Sequence, residues 1–109
     1  MTHQRANNST GHHLLYITEA GRPERTIALS TTMTIGRDNE NDIVIDSITV
    51  SRCHAVLLRD DAGVRLIDLE STNGTLVNGV PAQPDEPMQL MNGNIIQLGY
   101  VWARYCAPL

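Results

Sequence analysis

The chain has 109 residues and a mass of 12.0 kDa, which is the size of one domain with a single hydrophobic core. Its twelve acidic and eight basic residues give a formal charge of −4. Non-specific nucleic-acid binding depends mostly on neutralising backbone phosphates, so this negative balance argues against a nucleic-acid partner. A hydrophobic content of 41% with 18% charged residues also excludes disorder of the whole chain.

Neither a secretory signal nor a membrane span is expected from the sequence. Residues 1–9 are polar and no apolar segment follows them, and no run approaches the roughly 18 apolar residues of a spanning helix. Cys53 and Cys106 are far apart and form no Cys-x-x-Cys pair, which predicts free thiols rather than a zinc ligand set or a redox dithiol. We therefore expect a cytoplasmic monomer with no membrane partner, metal or cofactor.

Two segments are predicted along the chain. Residues 1–12 are almost wholly polar and predict a flexible tail, because they bury too little apolar surface to offset the entropy of ordering. Residues 13–109 form the predicted domain, in which short groups rich in Ile, Val, Leu and Thr are separated by Gly, Pro, Asn or Asp, as is typical of strands. These groups lie at 14–17, 27–29, 33–35, 43–45, 55–58, 64–69, 76–77, 88–90, 95–98 and 101–102.

The periodicity of these groups predicts an all-β fold. No window sustains a helical repeat, whereas residues 26–30 alternate with period two. Ten or eleven strands of this spacing predict a β-sandwich, since one flat sheet of that size would expose an apolar face. Asn-Gly pairs at 73–74 and 78–79 and Asn-Gly-Asn at 92–94 predict tight turns. Three prolines make 80–87 a loop or an edge strand.

Three predicted loops carry polar residues that turn geometry alone does not require. Gly36-Arg37 follows one strand, 51–54 (Ser-Arg-Cys-His) precedes another, and 68–74 (Asp-Leu-Glu-Ser-Thr-Asn-Gly) follows a third. Each segment by itself has an ordinary explanation, such as a solvated charge or a turn closed by short side chains. All three segments occurring together, in this order, are not accounted for by turn structure alone, which indicates a shared functional site.

The sequence resembles a forkhead-associated (FHA) domain, a module that binds phosphothreonine peptides. The family pattern is Gly-Arg, Ser-x-x-His, Ser-x-Asn-Gly and then Asn-Gly, and it reads here as Gly36-Arg37, 51–54, 71–74 and 78–79. The similarity extends over roughly residues 14 to 105. It implies an eleven-stranded β-sandwich of two mainly antiparallel sheets, with the peptide bound by loops at one end.

The resemblance also implies roles for individual residues. Arg37 and Ser51 would hold the phosphate with help from Arg52 and Thr72, and Asn73 would bond the backbone of the bound peptide. The residues expected to shape the loops are Gly36, His54, Gly74, Asn78 and Gly79. The implied partner is a phosphothreonine-containing protein or peptide, such as a serine/threonine kinase or its substrate, and the implied module is not an enzyme. The third residue after the phosphothreonine is often read in this family.

The chemistry of these side chains suits a phosphate. A phosphothreonine carries about −1.5 to −2 charges and three acceptor oxygens near neutral pH. The guanidinium of Arg37 is a planar fork of donors, and Ser51 and Thr72 supply hydroxyl donors. The amide of Asn73 both donates and accepts, which suits an extended peptide backbone.

Two other kinds of site are set aside on sequence grounds. Ser51, His54 and Asp68 could be combined into a hydrolase triad, but no nucleophile elbow surrounds the serine and no oxyanion site is evident. The alternating acids of 38–42 begin like a calcium-binding loop, but the sixth position is Ile43 where that loop requires Gly.

One alternative of a different class stays open, namely a sandwich of the same fold that assembles with proteins through a strand face and needs no phosphate. Arg37, Ser51 and Asn73 argue against it, because such a module would not need all three. The sequence also leaves open the identity of the partner, its flanking residues, and whether the chain is an excised domain. It does not show whether phosphorylation of Thr2, Ser9 or Thr10 would let the domain bind its own tail.

Overall fold

The computed structural model describes residues 11–109. Most of the predicted tail at 1–12, with Thr2, Ser9 and Thr10, therefore lies outside the described residues. Residues 11–109 contain no helix that is long and apolar enough to cross a membrane. Cys53 is exposed and Cys106 is buried, and the two do not form a disulfide.

The described chain contains eleven β-strands, which confirms the predicted all-β class. They are β1 (Leu14–Thr18), β2 (Arg25–Ala28), β3 (Thr32–Gly36), β4 (Ile43–Val44), β5 (Ala55–Asp60), β6 (Gly63–Asp68), β7 (Thr75–Val77), β8 (Val80–Pro81), β9 (Met88–Leu90), β10 (Ile95–Leu98) and β11 (Val101–Cys106).

The strands form two sheets that pack as a sandwich. One sheet has six strands in the order β2-β1-β11-β10-β7-β8, and the other has five in the order β4-β3-β5-β6-β9. All pairs of named strands are antiparallel except β3 and β4, which pair in parallel. The two-residue β8 lies at a sheet edge, where Pro81 needs no donor for the ladder, so the prediction of a loop or edge at 80–87 is confirmed.

The core lies between the sheets and is built by alternation along each strand. In β6, Val64 and Leu66 are buried while the residues between them are partly exposed. In β1, Leu15 and Ile17 point the same way and are fully buried. Because successive side chains of a strand face opposite sides, this pattern places one apolar face of each sheet against the other.

Strand pairing defines two ends of the sandwich. Ala55 pairs with both Ile35 and Asp68, so the segments that adjoin β3, β5 and β6 there meet at one end. Thr75 pairs with Leu98, which brings the start of β7 and the end of β10 to the same end. We call this the apical end; its segments are 19–24, 37–42, 45–54, 69–74, 82–87 and 99–100. The basal end carries the turns at 29–31, 61–62, 78–79 and 91–94.

Candidate functional site

The first apical contact joins the segment after β3 to the segment before β5. The backbone N–H of Arg37 donates to the carbonyl of Ser51 at 2.9 Å, and that of Asp38 donates to the carbonyl of Arg52 at 3.2 Å. A Cβ on Gly36 would lie 2.1 Å from the Arg52 carbonyl oxygen. Only glycine permits this approach, so Gly36 is required to bring the two segments together.

The side chain of Arg37 is exposed and oriented by one backbone contact. Its Nε donates to the carbonyl oxygen of Val50 at 3.0 Å. The terminal guanidinium nitrogens have no hydrogen-bond partner among residues 11–109, so they are available to an anion arriving from solvent. Arg52 follows Ser51 and is also exposed.

A third segment, between β6 and β7, is tied to the same place. The backbone N–H of Thr72 donates to Oγ of Ser51 at 2.9 Å, and Nδ2 of Asn73 donates to the carbonyl of Thr49 at 2.8 Å. Both Thr72 and Asn73 are exposed. The structure therefore brings Arg37, Ser51, Thr72 and Asn73 to one end of the sandwich, linked through residues 49–51.

His54 lies beneath these segments, fully buried, and joins two of them. Its Nδ1 accepts from the backbone N–H of Ser51 at 3.0 Å, while Nε2 lies 3.0 Å from the carbonyl of Gly74. A carbonyl only accepts and a backbone N–H only donates, so the proton is assigned to Nε2 of a neutral ring. Burial lowers the pKa of His54, although the Gly74 carbonyl and the nearby Asp68 carboxylate act in the opposite direction.

Asp68 shapes the 69–74 segment from its buried position at the end of β6. Its carboxylate accepts from the Ser71 hydroxyl at 2.5 Å, the Ser71 backbone N–H at 3.1 Å and the Thr75 hydroxyl at 2.7 Å. Burial by itself raises the pKa of Asp68, but the bonds from Ser71 and Thr75, helped by His54, outweigh burial and hold that pKa below its usual value. The ionised carboxylate thus fixes the turn that presents Thr72.

The remaining motif residues do not all lie at one end of the sandwich: Gly74 is apical, whereas Asn78 and Gly79 are basal. Gly74 is apical, has a φ of 83°, and its carbonyl accepts from Gly99 at 3.1 Å as well as facing His54. Asn78 and Gly79 form the turn between β7 and β8 at the basal end, with φ values of 47° and 80°. Oδ1 of Asn78 accepts from the Ile95 backbone N–H at 2.6 Å, so this pair shapes a turn away from the apical segments.

Two further apical residues, which the sequence did not predict to belong to the site, hold its segments together. Nδ2 of Asn41 donates to the carbonyls of Arg52, at 2.7 Å, and Asp38, at 2.8 Å. A Cβ on Gly99 would lie 2.2 Å from the carbonyl oxygen of Thr49, which makes Gly99 the counterpart of Gly36 on the other sheet. A lone Gly or Asn in a loop carries little signal, because only the tertiary contact distinguishes it from an ordinary turn residue.

The geometry also bears on the two sites set aside from the sequence. Both ring nitrogens of His54 face backbone groups and Oγ of Ser51 accepts from the Thr72 N–H, so the serine and histidine are not paired as nucleophile and base. Asp42 accepts from the backbone N–H of Thr34 at 2.8 Å. Within residues 11–109 there is no group of three or more His, Cys, Asp or Glu placed to hold a metal ion.

Comparison with known proteins identifies one family. The model of the FHA domain matches residues 33–99. An oxoglutarate dehydrogenase inhibitor of Corynebacterium diphtheriae is 41% identical over 68 residues, which is 62% of this chain and 46% of that protein. The chain therefore spans less than half the length of this relative.

Solved structures show the same architecture. The FHA domain of the CT664 protein from Chlamydia trachomatis superposes with a TM-score of 0.81, covering 90% of this chain and 99% of that one; at 24% identity it supports the fold alone. A domain from a structural and functional analysis of phosphothreonine-dependent FHA domain interactions has a TM-score of 0.76 and 29% identity. That match covers 90% of this chain and 99% of the other.

Proposed function

This chain belongs to the forkhead-associated (FHA) domain family, and we propose that it binds partner proteins through a phosphorylated threonine, as a module without catalytic activity. The observation that carries the proposal is the meeting of Arg37, Ser51, Thr72 and Asn73 at the apical end, tied together by hydrogen bonds through residues 49–51. A guanidinium, two hydroxyls and an amide are thereby presented together to solvent.

The proposed role of each side chain follows from the hydrogen-bonding groups that it does not already use within residues 11–109. Among residues 11–109 the side chain of Arg37 donates only through Nε, so its terminal nitrogens supply a fork of donors to the phosphate oxygens. Ser51 accepts at Oγ from Thr72 and keeps its own hydroxyl proton to donate. Thr72 adds a second hydroxyl, and Arg52 adds positive charge from beside Ser51.

Asn73 has a different proposed role, toward the peptide backbone. One N–H of its amide holds the Thr49 carbonyl at 2.8 Å, which orients the side chain. Its Oδ1 has no hydrogen-bond partner among residues 11–109, and the second N–H is likewise available, so the amide can both accept from and donate to an extended chain.

The magnitudes fit reversible binding. Three or four hydrogen bonds to charged oxygens, at about 1.5 to 3 kcal/mol each, give roughly 5 to 12 kcal/mol before the cost of ordering the peptide. A net of about −8 kcal/mol corresponds to a micromolar Kd. The pre-formed hydrogen bonds among the apical segments reduce the ordering cost on the protein side.

The proposed partner is a phosphoprotein of serine/threonine kinase signalling, either a kinase or one of its substrates, met in the cytoplasm. Two observations favour binding over catalysis. His54, the base that a serine hydrolase would need, is buried with both ring nitrogens facing backbone groups. The matched relative is an inhibitor by name, which is a binding role.

The test is the affinity of the wild-type domain and of Arg37→Ala for a fluorescent phosphothreonine peptide library. We expect Arg37→Ala to weaken binding roughly 100-fold or more, because it removes about two charge-assisted hydrogen bonds together with the charge itself. Arg65→Ala is the matched control, since Arg65 lies on β6, paired with Asp60 at 2.9 Å on the basal side. It should leave the affinity unchanged.

The same titration separates the phosphate-dependent module from the phosphate-independent assembly sandwich. Equal binding of phosphorylated and unphosphorylated peptides, or equal affinity of wild type and Arg37→Ala, would contradict the proposed function. Binding that survives Arg37→Ala but fails after a substitution on the outer sheet face would favour the alternative.

A further inference from the structure

The outer face of the six-stranded sheet carries a cluster of apolar side chains. Trp102 is 52% exposed and Ile95 is 38% exposed, and Leu76 is half-buried. The residues before and after Trp102 and Leu76, and the one after Ile95, are buried, so these three side chains point away from the core. Exposed apolar residues scattered singly are common on protein surfaces, whereas a contiguous patch marks an interaction site.

Strand pairing places these side chains next to one another. Trp102 pairs with Gln97, and Gln97 pairs with Leu76. Ile95 pairs with Arg104, two residues beyond Trp102, so Ile95 and Trp102 are diagonal neighbours on one side of the sheet. We call the outward side of β1, β11, β10 and β7 the Trp102 face. It lies between the two ends of the sandwich, away from the segments that carry the phosphate site.

Two cavities flank Trp102 on this face. One has a volume of about 440 Å³ and is lined by Leu76 and Ile95 on the β10–β7 side. The other has a volume of about 220 Å³ and is lined by Tyr16 and Thr18 on the β1 side. Because β11 lies between β1 and β10, the indole of Trp102 stands between the two cavities and lines both. The face therefore carries an exposed aromatic side chain and an apolar cavity directly beside it.

The strands of the Trp102 face present no carboxylate, although the chain is acidic overall. Among the outward residues of β1, β7, β10 and β11 the only charged side chain is Arg104, whose guanidinium lies 4.9 Å from the centre of the Tyr16 ring. Glu24 lines the smaller cavity together with Arg104, so the rim offers one charge of either sign. Two copies with a formal charge of −4 repel one another, and contact through this face brings no strand carboxylates together.

We propose that the Trp102 face binds a second copy of this chain, in a weak dimer with twofold symmetry. A twofold contact presses one patch against itself, so the patch must contain both a projecting group and the hollow that receives it. Trp102 and the cavity of about 440 Å³ beside it meet this requirement, with the indole of each copy entering the cavity of the other. This inference does not depend on the proposed function.

The size of the face sets the strength of the contact. Four strands at a spacing of about 4.8 Å, each about five residues long at about 3.3 Å per residue, give a face of roughly 300 Å². A stable interface buries about 800 Å² on each partner, so we expect a dissociation constant of about 0.1 to 1 mM. The dilute chain is then a monomer. Because Arg37 and Ser51 lie at the apical end, the dimer leaves both of these sites open to solvent.

The experiment is sedimentation velocity of the full chain at concentrations from about 10 µM to about 2 mM, which bracket the expected dissociation constant. We expect the weight-average mass to rise from 12.0 kDa toward twice that value. Trp102 is the only tryptophan of the chain, so its fluorescence reports on the contact directly. Its emission should move to shorter wavelength over the same concentrations, because the indole leaves water for an apolar cavity.

Two substitutions break the contact in different ways. Trp102→Ala removes the projecting group, and Thr18→Glu adds a carboxylate to each copy at an exposed position that pairs with Trp102. Each should weaken dimerisation roughly tenfold or more.

Each substitution has a matched control. Met91→Ala truncates a large apolar side chain that is 63% exposed in a basal turn. Thr32→Glu makes the same change of charge at an exposed strand threonine of the other sheet. Both controls should keep the dissociation constant within roughly twofold of the wild type. Circular dichroism checks that every variant is folded, and Thr18→Glu keeps the test decisive if Trp102→Ala is not.

Three results would overturn the inference. A mass that stays at 12.0 kDa at every concentration leaves the Trp102 face to a partner of another sequence or to none. Association that survives both Trp102→Ala and Thr18→Glu means that the copies meet through another surface. A mass that passes beyond the dimer indicates a head-to-tail contact without twofold symmetry. None of these results bears on the proposed function, which the Arg37→Ala titration tests separately.

Discussion

The two ends of the sandwich are built in different ways. Four polar or charged residues are buried in the described part of the chain, and all of them lie at the apical end: Glu19, His54, Asp68 and Thr75. The basal turns have no such buried group among residues 11–109: the Ala62 N–H donates to the exposed Asp60 at 2.8 Å, and the Ile95 N–H donates to the exposed Asn78 at 2.6 Å. The apical segments are thus joined through buried polar side chains, whereas the basal turns are held by backbone groups and exposed side chains.

At the apical end, the residues that stabilise the fold are different from the exposed residues proposed to bind the ligand. A buried polar group that loses its partner destabilises the fold by about 1 to 3 kcal/mol, so each apical tie is held in place by the cost of breaking it. Side chains exposed above those ties, such as Arg37 and Thr72, are positioned without being buried themselves. A change to an apical tie should therefore alter both stability and binding, and a change to a basal turn should alter stability alone.

The largest effect is expected from Gly36→Ala. Its Cβ would lie 2.1 Å from the Arg52 carbonyl, so the segments carrying Arg37 and Ser51 must separate. We expect the free energy of unfolding to fall by roughly 3 kcal/mol or more, measured in urea, with phosphopeptide binding lost.

The matched control for that change is Gly93→Ala at the basal end. Gly93 has a φ of 87° and open space around it, so the alanine is strained but meets no neighbour. We expect a loss of about 1 to 2 kcal/mol in stability with unchanged affinity. Equal affinity of the wild type and Gly36→Ala would show that the contact between these segments does not position the site.

The second prediction concerns His54→Ala. The change leaves the Ser51 N–H and the Gly74 carbonyl without their partner and opens a cavity, so we expect the free energy of unfolding to fall by roughly 2 to 4 kcal/mol. Affinity should weaken only moderately, since no phosphate contact is removed. An unchanged thermal midpoint together with complete loss of binding would mean that His54 acts on the ligand itself.

A smaller effect is expected from Asn78→Ala in the basal turn. The alanine loses the bond to the Ile95 N–H and must keep a left-handed backbone, with φ of 47° in the wild type. We expect about 1 to 2 kcal/mol less stability and no change in affinity for the phosphopeptide. Calorimetry would reveal any weakening, and a loss beyond threefold would show that the two ends are energetically coupled.

The smallest effect is the dependence of stability on pH. Burial lowers the pKa of apical His54, and burial together with Arg59 lowers that of basal His13, so the unfolded chain takes up these protons at a higher pH than the native protein. The free energy of unfolding should therefore fall as pH drops below about 6.5, by at most about 1.4 kcal/mol per pH unit for each histidine.

Single variants measure how much of the pH dependence of stability comes from the histidine at each end. His54→Gln and His13→Gln should each flatten the fall in stability between about pH 7.5 and 5.5, measured by urea unfolding. If neither variant changed the slope, the titrating groups would lie elsewhere. Below about pH 4 a further fall is expected from Asp68, whose pKa is lowered in the native protein.

Much of the fold could be predicted from local pattern. The strand groups at 14–17, 33–35 and 55–58 match β1, β3 and β5, because alternation of apolar residues is a local property that a sheet face requires. β11 extends to Cys106, beyond the predicted 101–102. Its inward residues include Ala103 and Tyr105, whose small or polar character weakens the apolar signal.

The amino-acid sequence by itself determined the all-β class, the turns and the chemical identity of the loop residues, since composition and short-range spacing encode these. Only the tertiary structure decided which loops meet: it places 78–79 at the basal end and brings Asn41 and Gly99 to the apical site. The physical reason is separation along the chain. The Ser51–Thr72 and Thr49–Tyr100 bonds span 21 and 51 residues, and the packing of two twisted sheets, not local pattern, sets such distances.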